Sequence, residues 1–128
     1  MPHPCLRALL AGLVATVMLD GAPASGRVDD DGAREEGRCA RGIWWRMEAK
    51  PDDGRIEIKI EVDTDRIGQR WSWVLAHNGS LSDRGVSRTR GPSGSFEIER
   101  TAVDVAGTDT FRIRTVRKAA VCVARVTL

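Results

Sequence analysis

The pattern that most restricts the fold of this chain lies at residues 56–63, where Ile56, Ile58, Ile60 and Val62 alternate with Glu57, Lys59, Glu61 and Asp63. Successive side chains of a strand point to opposite faces, so a period of two puts four branched apolar groups on one side and four charges on the other. A strand with one buried face satisfies this pattern. Pro51-Asp52-Asp53-Gly54 precedes it, and Asp and Gly tolerate the positive φ of a hairpin turn. A partner strand over residues 43–49 is therefore predicted.

The same reasoning extends along the chain. Trp71, Trp73 and Leu75 share one face of a strand, with Ser72, Val74 and Ala76 on the other. His77-Asn78-Gly79-Ser80 follows, and its Asn-Gly pair predicts a hairpin with a polar return strand near residues 83–89. Gly91-Pro92-Ser93-Gly94 breaks the chain, after which Phe96 and Ile98 alternate with Glu97 and Glu99. A corner at residues 104–109, centred on Gly107, leads to Phe111 and Ile113 opposite Arg112 and Arg114. Residues 116–119 form a tight connection to a last strand, apolar on both faces through Val121 and Val123 on one side and Cys122, Ala124 and Val126 on the other, which predicts an interior position. No window after residue 37 carries apolar spacings of three and four over ten residues, so no substantial helix is expected there. Six to seven short strands between Gly, Pro, Asn and Asp turns indicate an all-β fold. The expected form is an antiparallel two-sheet sandwich, immunoglobulin-like, or a similar small barrel.

Residues 1–24 read as a signal peptide: a basic start ending at Arg7, an apolar run over residues 9–19, and Ala22-Pro23-Ala24 as a small-x-small cleavage site. The apolar run is shorter than the roughly 20 residues needed to span a bilayer, so no membrane span is expected. Cleavage removes Cys5 and leaves Cys39 and Cys122 in an oxidising compartment, where a disulfide would tie the start of the domain to its last strand. The product is expected to be secreted and monomeric. Residues 25–37 contain Asp29-Asp30-Asp31, Glu35 and Glu36 with few apolar side chains, and read as a flexible acidic leader before a β domain at 38–128.

From Arg38 onward the chain has 17 basic and 12 acidic side chains, a net charge of +5, and 14 of the 17 are arginine. That balance is mildly basic. His77 is the only histidine after residue 24, and no Gly-x-Ser-x-Gly elbow surrounds Ser72, Ser80 or Ser82, so no catalytic residue is expected. Asp63, Asp65, Asp104 and Asp109 are the carboxylates from which a hydrolase pair would be drawn, but all sit where strands end and read as turn residues. Two cysteines and one histidine fall short of a zinc site, and Asp63-Thr64-Asp65 with Gly68 lacks the closing Glu of a calcium loop. Neither metal nor cofactor is expected.

Four tryptophans stand in a chain without tyrosine. Trp71 and Trp73 are in phase with Leu75 and read as core. Trp44 and Trp45 are adjacent and must point oppositely; Trp44, in phase with Arg46 and Glu48, is the outward candidate for ligand contact. Arg84, Arg88 and Arg90 form a basic loop segment without interleaved aromatics, which argues against single-stranded nucleic acid and suits an anionic cell-wall polymer.

Gly68-Gln69-x-Trp71, His77-Asn78-Gly79, Gly94-Ser95-Phe96 and Gly107-x-Asp109-x-Phe111, bracketed by Cys39 and Cys122, resemble the pattern of small secreted actinobacterial β-sandwich proteins of unknown function. The resemblance runs from about Cys39 to the end and implies fold and location, not an activity. The expected function is a secreted, non-enzymatic binding or interaction module for an extracellular protein or cell-wall glycan. The alternatives are a small secreted protease inhibitor presenting residues 87–95, and a carboxylate-dependent hydrolase using Asp63 or Asp109.

Overall fold

A computed structural model describes residues 27–29 and 32–128. The signal-peptide reading and Cys5 lie outside these residues. The strands are β1 (Arg27–Asp29), β2 (Gly32–Arg38), β3 (Trp44–Asp52), β4 (Arg55–Asp63), β5 (Arg70–His77), β6 (Ser80–Arg88), β7 (Ser95–Val103), β8 (Thr110–Arg117) and β9 (Ala120–Thr127). A short 3-10 turn occupies Ala40–Gly42. Every described pairing is antiparallel. One sheet has the order β1-β2-β3-β4-β7 and the other β6-β5-β8-β9.

The strand count exceeds the expected six to seven because part of the acidic stretch is ordered. Residues 32–38, read from composition as flexible, form β2 and pair with β3 from Ala33↔Ala49 to Arg38↔Trp44. The flexible-leader boundary at residue 37 is thus corrected. Low apolar content did not prevent order here, because the segment borrows its backbone partners and its packing from β3. Ala33 is buried, Gly37 lies against the Trp45 indole, and Arg34 bridges to Glu48.

The hairpin turns behave as their residues dictate. Asp53 and Gly54 (φ 49° and 75°) close β3 onto β4, and Asn78 and Gly79 (φ 49° and 83°) close β5 onto β6. Three connections cross between the sheets: β4 leads to β5, β6 returns so that β7 pairs with β4, and β7 leads to β8 beside β5. β9 packs over β2 and β3, and β6 approaches β7, so the sheets meet along both edges. The latter edge is closed by Arg100, which pairs with Asp83 and lies 5.0 Å from the Trp73 ring centre.

Both sheets contribute to one core. Met47, Ile56, Ile58 and Ile60 come from the first, and Trp71, Trp73, Leu75, Phe111 and Ile113 from the second. Burial of each such side chain stabilises the fold by about 1.5–3 kcal/mol. Cys39 and Cys122 form the expected disulfide, with Cα atoms 5.3 Å apart and a sequence separation of 83. It links the segment entering β3 to β9, and hence one sheet to the other. The final strand departs from its expected interior position: β9 is an edge, with Cys122, Ala124 and Val126 in the core and Val121 and Val123 facing solvent.

Candidate functional site

Strand register assembles one unusual surface on the outer face of the second sheet. In register across it, Arg88 faces Arg70; Val86, Ser72, Val116 and Val121 form a second row; Arg84, Val74, Arg114 and Val123 form a third; Leu81, Ala76, Arg112 and Arg125 form a fourth. All six arginines are exposed. No Asp, Glu or aromatic residue occupies these rows. None of the six makes an ion pair among the described residues. Two arginine pairs, Arg70–Arg88 and Arg112–Arg125, stand directly opposite one another across strands. Like charges in that position oppose pairing by a few tenths to about 1 kcal/mol. The face is therefore not arranged for its own stability.

The outer face of the first sheet follows the other rule. Arg46 meets Glu61 at 2.8 Å, Lys59 meets Glu97 at 3.4 Å, and Arg34 meets Glu48 at 3.6 Å. Cations there are offset by neighbouring carboxylates. The same period-two alternation thus yields a self-neutralised surface on one sheet and a purely cationic one on the other.

Arg84 and Arg88 belong to this face, but on the edge strand β6 and not on a loop. Arg90 lies just beyond it, held by a bridge to Ser95, and shares with Arg70 and Arg88 a groove of about 600 Å³ between β6 and β7. Trp44 is not part of the cluster: it is half-buried on the other sheet, with the Arg46 guanidinium 5.5 Å from its ring centre. Trp45 packs against the core, and Trp71 and Trp73 are buried as expected. Arg70, Arg112, Arg114 and Arg125 are the members sequence reasoning missed. Each occupies an outward period-two position, but only the order β6-β5-β8-β9 shows that they are neighbours.

The opposite end of β5 holds the titratable groups considered for catalysis. His77 Nε2 lies 2.5 Å from Asp109 Oδ1, and its ring stacks on Phe111 at 4.4 Å. Asn78 Oδ1 accepts from the Thr110 N–H at 2.7 Å, so the β5 end and the entry to β8 are clamped at two points. Asp109 is almost fully buried, and His77 has no described side-chain hydrogen-bond partner besides it. Asp63 accepts from the Asp65 N–H, an Asx turn at the far end of β4. Among the described residues no group of His, Cys, Asp and Glu side chains is placed to hold a metal ion, and no helix is long and apolar enough to cross a membrane.

Asp104 is the exception to simple turn chemistry. Desolvation beside Asp109, then the hydrogen bond and charge of that neighbour, push its carboxyl above the usual range. A raised folded-state pKa contributes stability that is present below the ordinary value of 3.8 and lost as pH rises through the folded value. Asp104→Asn is accordingly expected to raise the melting temperature at neutral pH and to leave it nearly unchanged near about pH 3, where the Asp104 carboxyl is largely protonated in the folded and the unfolded chain alike. Thermal melts of the two proteins at both pH values check this, and an equal shift at both would contradict it.

In comparisons of this chain with protein-family models, curated proteins and solved structures, nothing matches.

Proposed function

We propose that the chain is an extracellular, non-enzymatic binding module of sandwich architecture that holds an anionic polymer against the outer face of its second sheet. The observation that carries this reading is the set of six exposed arginines in four adjacent strands without a carboxylate among them. Guanidinium groups engage phosphate and carboxylate through paired N–H donors, and an array of them suits a chain with repeating charge. The lack of aromatic side chains in these rows disfavours base stacking. The exposed aliphatic groups Val74, Leu81, Val86, Val121 and Val123 interleave the arginines, so anionic vesicles are the competing ligand for this face, although it holds no aromatic anchor for a lipid interface. A Cys39–Cys122 disulfide suits an oxidising location outside the cell.

The alternatives have less support. Residues 87–95 do not project: Thr89 is buried, its hydroxyl donates to the Arg66 carbonyl at 2.5 Å, and Arg90 pairs with Ser95 across a four-residue turn. An inhibitor would need a protruding segment. For a hydrolase, Asp63 and Asp109 lie at opposite ends of the strands, on the order of 20 Å apart for eight residues of β-structure. Known carboxylate pairs work within about 10 Å.

The test measures binding of alginate and of long-chain polyphosphate, with neutral dextran as control. Affinity for at least one polyanion is expected to fall about tenfold or more between about 50 and 200 mM salt, as counterion release requires. The double variant Arg112→Ser/Arg125→Ser should bind about tenfold more weakly while its melting temperature stays level or rises, since a like-charge pair has been removed. Undiminished binding by the variant, binding of dextran, or a preference for anionic phospholipid vesicles over both polymers would overturn the proposal.

A further inference from the structure

A second concave feature, away from the sheet face, lies at the end of the molecule where β4, β8 and the 3-10 turn finish and where β5 and β9 begin. It is a cleft of about 690 Å³ between the two sheets. Arg41, Arg66, Arg117 and Lys118 line it, Ala119, Ala120 and the edges of Ile43 and Trp71 supply its apolar part, and no carboxylate among the described residues contributes. We propose that this cleft is a binding site for a phosphomonoester: a small dianionic head on an apolar body.

Three observations converge on that reading. The first is charge: four cations converge on one concavity with nothing of opposite sign in its wall, which favours a dianion over a monoanion. The second is an unmet donor. The Arg117 Nε–H is buried and has no hydrogen-bond partner among the described residues, a state that costs free energy unless something accepts from it. Arg117 follows the inward-facing Thr115 along β8, so its head is directed between the sheets and not onto the basic face.

The third is backbone conformation. Arg41 and Lys118 both have positive φ, 63° and 52°. Glycine or asparagine would adopt these angles at lower cost, yet long cations occupy both positions, and both border the cleft. The remaining members are held in place. Arg66 is anchored by its carbonyl, which accepts from the Thr89 hydroxyl at 2.5 Å, and by its N–H, which donates to the Thr64 hydroxyl oxygen at 3.2 Å. Gln69 Oε1 accepts from Trp71 Nε1 at 3.3 Å, which fixes its amide and leaves the NH₂ free to donate toward a ligand. The apolar part of the wall sets the chemistry of the body: an aromatic or aliphatic group fits against Ala119, Ala120 and the edges of Ile43 and Trp71 that border the cleft.

NMR of the ¹⁵N-labelled chain tests the site directly, following the Arg117 Nε–Hε and Trp71 indole signals at fixed ionic strength. Phenyl phosphate, inorganic phosphate and benzoate are the three probes. Phenyl phosphate should give saturable shifts of both signals at the lowest concentration; inorganic phosphate should move the Arg117 signal at several-fold higher concentration, and benzoate should bind weakest. Arg117→Met should weaken phenyl phosphate about tenfold, the loss of one charge-assisted hydrogen bond. Lys118→Gln, at an exposed turn position where folding is not at issue, should weaken it severalfold. Arg112→Ser/Arg125→Ser should leave it unchanged, which separates this site from the polymer-binding face. The inference is overturned if neither signal saturates, if all three probes act equally, or if Lys118→Gln binds phenyl phosphate as the parent chain does.

Discussion

Replacing Cys39 and Cys122 together by alanine is expected to destabilise the protein by about 4–5 kcal/mol, the chain-entropy value for closing a loop of this length. The bond encloses 83 residues of sequence separation, nearly the whole folded part of the chain. A domain of this size has a total stability on the order of 5–15 kcal/mol, and 1 kcal/mol moves its midpoint by about 4–8 °C. A fall in melting temperature on the order of 20 °C follows, and a reducing agent should produce a similar fall in the parent chain. Calorimetry with and without reductant checks both statements; coincident curves would refute them. The effect should reach the cleft as well, because Cys39 stands two residues before Arg41 and Cys122 four residues after Lys118. Releasing the bond frees both cationic turns at once, so phenyl phosphate binding should weaken even where the fold persists.

Gly94→Ala is the second large effect. Gly94 has φ +82°, and a Cβ placed there would meet the backbone of Arg66, at 2.3 Å from its nitrogen and 2.6 Å from its carbonyl carbon. Neither contact belongs to a flexible side-chain tip. The loop cannot simply retreat, since the Gly94 carbonyl accepts from both the Thr64 N–H (3.0 Å) and the Thr64 hydroxyl (2.9 Å). Left-handed backbone strain and overpacking contribute on the order of 1–3 kcal/mol each, for a total of about 4 kcal/mol. Gly79→Ala provides the control. Its φ is +83°, but nothing lies within 4 Å of the added carbon, so only the strain of about 1 kcal/mol is expected. Urea unfolding of the two variants separates clash from strain, and equal midpoints would show that the Arg66 loop yields freely. Because Arg66 borders the cleft, the Gly94 variant should also weaken phenyl phosphate binding, whereas the Gly79 variant should not.

What could be read from the sequence was whatever depends on a residue and its near neighbours. The Ile56–Val62 alternation, the Asp53-Gly54 and Asn78-Gly79 turns, and the burial of Trp71 and Trp73 are local consequences of pleating and backbone sterics, and the structure reproduces them. Glu35, Glu36 and Gly37 were misread because their order comes from β3, a partner outside their own window. The same limit hid most of the candidate site. Arg84 and Arg88 attract notice because they are close in sequence, while Arg70, Arg112, Arg114 and Arg125 are scattered over 55 residues and meet only through strand order. The cleft was less legible still. Nothing in the sequence indicates that Arg41 and Lys118 share a concavity, since their positive φ values and the approach of two sheet ends are properties of the assembled fold.

The contrast between the two outer faces has a kinetic consequence. One is balanced and the other wholly cationic, so the domain carries a permanent electric dipole directed across its sheets. In the field of an extended anion such a body turns before it touches, and encounters begin with the arginine side leading. Salt screens that torque beyond a Debye length of about 10 Å at 0.1 M. Capture of a distant polyanion should therefore slow with ionic strength even where the bound geometry is unaltered.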